Sequence, residues 1–502
     1  MSISSPAERI RKGIEHHRAG RLSEASECYL EVLDRMAEHP DARHLLGLIA
    51  HQSGMHDQAI DLISGAIRIN PSIWAYHHNL GDVLRKVGRL REACDAYRQA
   101  VQRKPDHFTT HYALGLVLQQ LGEPDMAVPH FWRALTLNPE APDLHHRLGV
   151  MLGRKRRLDE AANLLRQAEA RAPGAAPVHY DLGIVLAATG LLADAEAKVR
   201  RAIAIDKEFA PAHCLLGALC LNQNRLDDAE AAYRRAVALA PADSATARRL
   251  AVVLERRGAN EDAIAIYRAL IEREGDQPEL QFYLAALGSA PVPASAPQSF
   301  VVDLFDGYAA HFDRHLAHLG YRTPQLLFDA VAKAAGDRRL DILDLGCGTG
   351  LCGPLVKPLA RTLRGVDLSP AMLEIARARN VYDSLDVAEL VEALRAEAGS
   401  LDLVLGADVF VYLGDLSPVF GAAATALRPS GLFAFSVEAE LEGDGYALDT
   451  TRRYVHTLPY LERLAARYDF EIEGADIATL RMQAKQPVDG YIVVLRRSSR
   501  PD

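Results

Sequence analysis

The stretch LDILDLGCGTG, residues 340–350, decides how the second half of this chain is read. Its first six residues form an apolar run with the length of a buried strand, and glycines follow at alternate positions, Gly346, Gly348 and Gly350. Glycine lets a backbone turn tightly and approach a ligand where any side chain would collide, and a helix starting near Leu351 would turn its first amides to the same place. A strand, a loop that cradles a nucleotide-like cofactor and a helix are predicted.

The next apolar run, TLRGVDL, carries Asp367 near its end, 17 residues past Gly350. A carboxylate at the end of a second strand can accept protons from both ribose hydroxyls. On these features alone a nicotinamide or flavin domain fits as well. DLGCGTG followed by GVDLSPAML, however, resembles the first two motifs of class I S-adenosylmethionine-dependent methyltransferases, whereas the dinucleotide fingerprint usually lacks the leading Asp344. LDLVLGADVFVYL, residues 401–413, resembles the fourth strand and substrate-facing loop of that family, and ALRPSGLFAFSVE, residues 426–438, its fifth strand and preceding turn.

The resemblance implies an α/β, Rossmann-like, seven-stranded domain over residues 300–502, closed by an antiparallel strand DGYIVVLRR at 489–497, with S-adenosyl-L-methionine as cofactor. By position, Gly346, Gly348 and Gly350 would line its methionine and ribose, with Cys347 packed between them as a small apolar residue. Asp367, with Leu368 beside it, would bind the ribose, and Glu389 the adenine amino group. Asp344 would orient the loop or meet the methionine ammonium, and Asp408 would contact substrate or cofactor.

The lead-in FVVDLFDGYAAHFDRHLAHLGY, in this family a lid over the cofactor, offers Tyr308 and His311 as catalytic groups, and the segment after strand five offers Arg453, Tyr454 and His456. An Asn-Pro-Pro-Tyr signature is missing, which disfavours methylation of amide or nucleobase nitrogen. The methyl acceptor is unknown.

Working outward, the first half carries a period. Leu-Gly recurs at Leu46-Gly47, Leu80-Gly81, Leu114-Gly115, Leu148-Gly149, Leu182-Gly183 and Leu216-Gly217, each 34 residues after the last. An alanine follows twelve residues after each glycine, and four beyond it stands a bulkier residue such as Tyr97 or Phe131. Small residues at a helix crossing and large ones beside it imply two helices per repeat. These residues resemble the tetratricopeptide repeats: about eight of them and a capping helix over 6–288, an all-α superhelix whose groove usually holds a protein or peptide.

Histidines also recur at 77, 111, 145, 179 and 213. Equivalent helices stack about 8–10 Å apart, too far for one ion to bridge them, so these are read as packing residues. His44, His78, Tyr112, His146 and Tyr180, one position later, are predicted to face the groove and a partner. Residues 289–299, SAPVPASAPQS, read as an extended spacer between the two domains.

Composition sets the remaining bounds. The 502 residues are 49% hydrophobic and 25% charged, as in ordinary globular domains. Of the net charge of −9, residues 300–502 carry −8, with 21 Lys and Arg against 29 Asp and Glu, which argues against a nucleic-acid substrate. No apolar run of eighteen residues appears, so no membrane insertion is expected. Six cysteines without paired spacing suit a reducing cytoplasm. The expected function is a multidomain methyltransferase whose repeats bind a protein partner or substrate. The alternatives are a small-molecule O-methyltransferase, its acceptor a carboxylate or another oxygen, with repeats used for assembly, and a non-catalytic scaffold.

Overall fold

A computed structural model describes residues 5–336, 338–483 and 486–499, apart from the side chain of Pro142. By internal contact the chain divides into two compact units, Met1–Thr246 and Ala247–Asp502.

The 34-residue period becomes helix pairs. First helices begin at Pro6, Pro40, Trp74, Phe108, Pro142, Ala176, Ala210 and Ser244, second helices at Leu22, His56, Leu90, Pro124, Leu158, Leu192, Leu226 and Asn260, and a ninth first-type helix, Pro278–Ala286, ends the series. Each repeat glycine faces the bulky residue sixteen positions on. A Cβ at Gly81 would stand 2.6 Å from Tyr97 Cε1, and one at Gly115 2.6 Å from Phe131 Cε1. The crossing is close only because those side chains are absent.

Four of the five recurring histidines have a backbone role. His77, His111 and His179 donate from Nε2 to the carbonyls of Pro71, Pro105 and Pro173 at 2.9–3.0 Å, and His213 to that of Lys207 at 3.1 Å. Each staples a helix to the loop before it and satisfies a carbonyl that the inter-repeat turn leaves without an intrahelical partner. At the next positions, expected to face the groove, side chains are tied to the neighbouring repeat. His44 accepts from Asn79 Nδ2 at 2.8 Å, His146 meets Asp181 at 2.6 Å, Tyr112 donates to Asp143, and Thr110 meets His78 Nδ1 at 3.1 Å. Their polar tips join neighbouring repeats, and His44 and His78 are buried.

The second unit contains a sheet of β1 (Leu340–Leu345), β2 (Ala360–Asp367), β3 (Ser384–Val387), β4 (Leu401–Gly406), β5 (Leu427–Glu440), β6 (Tyr446–Leu448), β7 (Tyr454–Thr457), β8 (Phe470–Gln483) and β9 (Gln486–Arg497). β3, β2, β1, β4 and β5 lie side by side and parallel, β9 runs antiparallel to β5, and β8 pairs with β9. These seven strands form the expected sheet with its antiparallel closing strand. The short β6 and β7 are additional: β7 continues beside the far end of β5, where β9 has stopped pairing.

Strand alternation sends side chains to two cores. Leu343, Leu345, Phe433 and Phe435 meet Phe420 and Phe470 on one face. Leu340, Ile342, Leu432 and Ala434 meet Leu327 and Val331 of the helix Thr323–Ala335 on the other.

Residues 289–299 are no free spacer. Ala296 N–H donates to Tyr412 O at 2.9 Å, Gly414 N–H to Ala294 O at 2.8 Å, and Tyr454 Oη to Pro293 O at 2.8 Å. The reason lies in what flanks them: Phe282 from the last helix of the series packs with Ala296, Val411, Tyr412 and Tyr454 in one buried cluster. Arg452 adds an ion pair to Glu255 at 2.6 Å and lies over the Tyr283 ring at 4.2 Å.

Candidate active site

At the carboxyl ends of β1, β2 and β4 lies a cavity of about 290 Å³. Asp344, Gly346, Cys347, Gly348, Asp367, Leu368, Glu389, Asp408 and Tyr308 all line it.

The glycine loop leaves β1 with positive φ at Gly346 (59°), Gly348 (53°) and Gly350 (81°). A Cβ on Gly346 would strike Val409, and one on Gly350 would come within 2.9 Å of Tyr382 Cε2, so these two are packing constraints. At Gly348 a Cβ would meet nothing within 4 Å; the space beside that backbone is open.

Asp367 accepts the N–H of Gly348 at 2.8 Å on one oxygen and that of Ser369 at 2.8 Å on the other, which ties the end of β2 to the loop after β1. Burial pushes its carboxyl up, against the pull of those amides. Glu389 caps the helix Leu390–Arg395, accepting from Val391 at 2.8 Å and Glu392 at 3.0 Å through Oε2.

Among the described residues Asp344 makes no bond to loop amides. Its Oδ2 accepts from Tyr382 Oη at 2.6 Å, and its buried Oδ1 has no hydrogen-bond partner among the described residues. Burial pushes its pKa to about 7, with Tyr382 pulling it down and the Asp367 charge adding to the rise.

Asp408 adopts φ 53°, a strained conformation for a residue with a side chain. Ser436 holds it there: the Asp408 N–H donates to Ser436 Oγ at 2.8 Å, and that hydroxyl donates back to Oδ1 at 2.9 Å. Beyond it Arg481 lies 3.5 Å from Asp408 Oδ2 and pairs with Glu438, which also takes Arg453 at 2.8 Å. Burial raises the Asp408 carboxyl; it also opposes ionisation of Glu438, but the two guanidinium groups hold Glu438 below its usual range.

Of the other candidates, His311 is exposed and, like His456 and Tyr454, absent from the cavity lining. His456 is fully buried, donates to Gly414 O at 3.1 Å and has its pKa pushed down to about 4 by burial. Tyr454 is spent on Pro293. Burial raises the thiols of Cys347 and Cys352, so both stay protonated.

The lead-in helices, Gln298–Tyr308 and Phe312–His318, are latched over the loop by carboxylates with no motif of their own. Asp306 accepts from Ser369 Oγ and from Ala371 N–H at 3.3 Å. Asp313 accepts from Thr349 Oγ1 and from Arg379, whose Nε donates to Thr349 O at 2.6 Å.

Comparison with known proteins gives the class. Residues 343–435 match the family model described as a methyltransferase domain. Residues 10–72, 146–210 and 215–278 match a tetratricopeptide repeat model, and 81–122 and 108–140 match two further repeat models. The chain carries tetratricopeptide repeats ahead of a Rossmann-like methyltransferase domain. It is 35% identical over 138 residues to Methyltransferase-like protein 27 of Homo sapiens, covering 27% of this chain and 54% of that one. It is 31% identical over 125 residues to the Ubiquinone biosynthesis O-methyltransferase of Brucella ovis, covering 24% and 50%. The chain thus spans about half the length of these curated relatives. The crystal structure of YrrB, a TPR protein with an unusual peptide-binding site, aligns at a TM-score of 0.36 and 22% identity over 37% of this chain and 96% of that one. Among the described residues no helix is long and apolar enough to cross a membrane.

Proposed function

We propose that this protein is an S-adenosylmethionine-dependent methyltransferase of the reducing cytoplasm, with repeats that hold a protein partner or a protein-borne acceptor. The carrying observation is the buried, unpartnered Oδ1 of Asp344 in a cavity beside the open backbone of Gly348 and the carboxylate of Asp367. That donor and acceptor set fits a ligand with an ammonium at one end and a ribose at the other. Bound S-adenosylmethionine would supply a methyl group activated on a sulfonium.

The chain's own part is alignment and exclusion of water. Asp344 would take the ammonium, Gly348 would admit the ligand to the backbone, and Asp367 and Glu389 would bind ribose and adenine. The lead-in would close over them. None of the six cysteines is held in a disulfide, in keeping with the proposed compartment.

Calorimetric titration of S-adenosylhomocysteine into the full chain tests the cofactor. Micromolar binding that Asp367→Ala abolishes supports the reading; a well-folded wild type that does not bind refutes it in favour of a scaffold. A second reading, a small-molecule O-methyltransferase whose repeats serve assembly, is favoured by the rings of Phe305, Tyr308, Phe312 and Tyr412 that wall the cavity.

A further inference from the structure

We infer that Arg481, seconded by Arg453, is the acceptor-recognition group of this cavity, and that the acceptor is a small carboxylic acid with an apolar, ring-sized body. The inference rests on the methyltransferase reading above.

Arg481 sits on β8, its side chain is 3% exposed, and it lines the cavity. Its Nη2 serves Glu438, but the buried Nη1 makes no hydrogen bond among the described residues and stands 3.5 Å from Asp408 Oδ2. Asp408 Oδ1 already accepts from Ser436. The unfilled valence at this end is therefore a donor on a cation, and its complement is an anionic acceptor. A guanidinium offers planar, paired N–H groups that match a carboxylate, and Arg453, which lines the same cavity, adds a second cation. Of the neighbouring acids, Glu438 is shared between both arginines, and Asp408 Oδ2 stands in ion-pair but not hydrogen-bond contact with Nη1, so that donor still lacks an acceptor.

The rest of this wall is apolar. Phe305 packs edge to face on Tyr412 with centroids 5.5 Å apart and on Phe312 at 5.9 Å, and Tyr308 on Phe312 at 6.1 Å. Rings around one charged anchor select a flat apolar body carrying one carboxylate, and would reject a long polar chain.

The test titrates benzoate, benzamide and a blocked glutamate peptide into the full chain saturated with S-adenosylhomocysteine. Benzoate is expected to bind roughly tenfold or more tightly than its neutral isostere benzamide. Arg481→Gln should remove that preference while retaining S-adenosylhomocysteine binding, and Arg481→Lys should restore part of it. Equal binding of benzoate and benzamide by wild type, which needs no variant, overturns the inference. So does an Arg481→Gln protein that binds S-adenosylhomocysteine and still prefers benzoate. A glutamate peptide binding as tightly as benzoate overturns the small apolar acid in favour of a protein side chain. Failure of wild type to bind S-adenosylhomocysteine refutes the cofactor reading instead, and is seen in the first titration before any acid is added.

Discussion

Asp344 shows how one burial event tunes a site. Its carboxyl is held near pH 7, so at lower pH it carries a proton that a cationic ammonium has to displace. Affinity for S-adenosylhomocysteine should therefore rise from about pH 6 to about pH 8. Asp344→Asn should bind about tenfold more weakly and flatten that profile, as calorimetry at several pH values would show. Gly346→Ala forces a methyl into Val409 at φ 59° and should lower stability by about 1–3 kcal/mol, measurable by chemical unfolding. The glycines and Asp367 stand out in the sequence because backbone demands leave residue types behind. Tyr382 and Arg481 do not: each reaches its carboxylate from 38 or more residues away, and such pairings leave no local pattern.

Among the elements, the paired repeat helices were legible, since a glycine facing a bulky apolar residue sixteen positions on recurs without slipping. Gly81→Ala should cost about 1–3 kcal/mol, read as a lower unfolding midpoint, because the Tyr97 ring it would strike is fully buried with its hydroxyl bonded to Asp82. The lead-in was legible as an amphipathic lid, but its latch was not, as Asp306 and Asp313 look like ordinary surface acids. Asp313→Ala frees Thr349 and Arg379 together. It should weaken S-adenosylhomocysteine binding by roughly threefold to tenfold, with faster hydrogen exchange in Phe312–His318. The spacer was misread for a related reason: its prolines and small residues suit an extended chain, but they also leave carbonyls free for Gly414 and Tyr454 to reach.

Over the whole molecule, two consequences follow from where groups are buried. Burial pushes His44 and His130 down to about 4, so the folded repeats stay neutral where the unfolded chain is protonated. The stability they contribute is complete above about pH 6.5 and is lost as the pH falls toward about 4. Helical circular dichroism during urea unfolding should show its midpoint dropping across that window. The second consequence concerns trimming: Phe282 and Ala296 pack on Tyr412, whose ring walls the cavity, so a protein beginning at residue 300 loses that support and should bind ligand more weakly than one beginning at 247. The bonds between successive repeats also bear on rearrangement. A 34-residue block can be copied or deleted with its backbone intact, yet His44 needs an asparagine in the next block and His146 an aspartate. A tandem copy of residues 40–73 would set Leu45 where Asn79 should be and strand a buried imidazole. The array is keyed at these seams, so its blocks cannot be exchanged or reordered there without leaving buried polar groups unpaired.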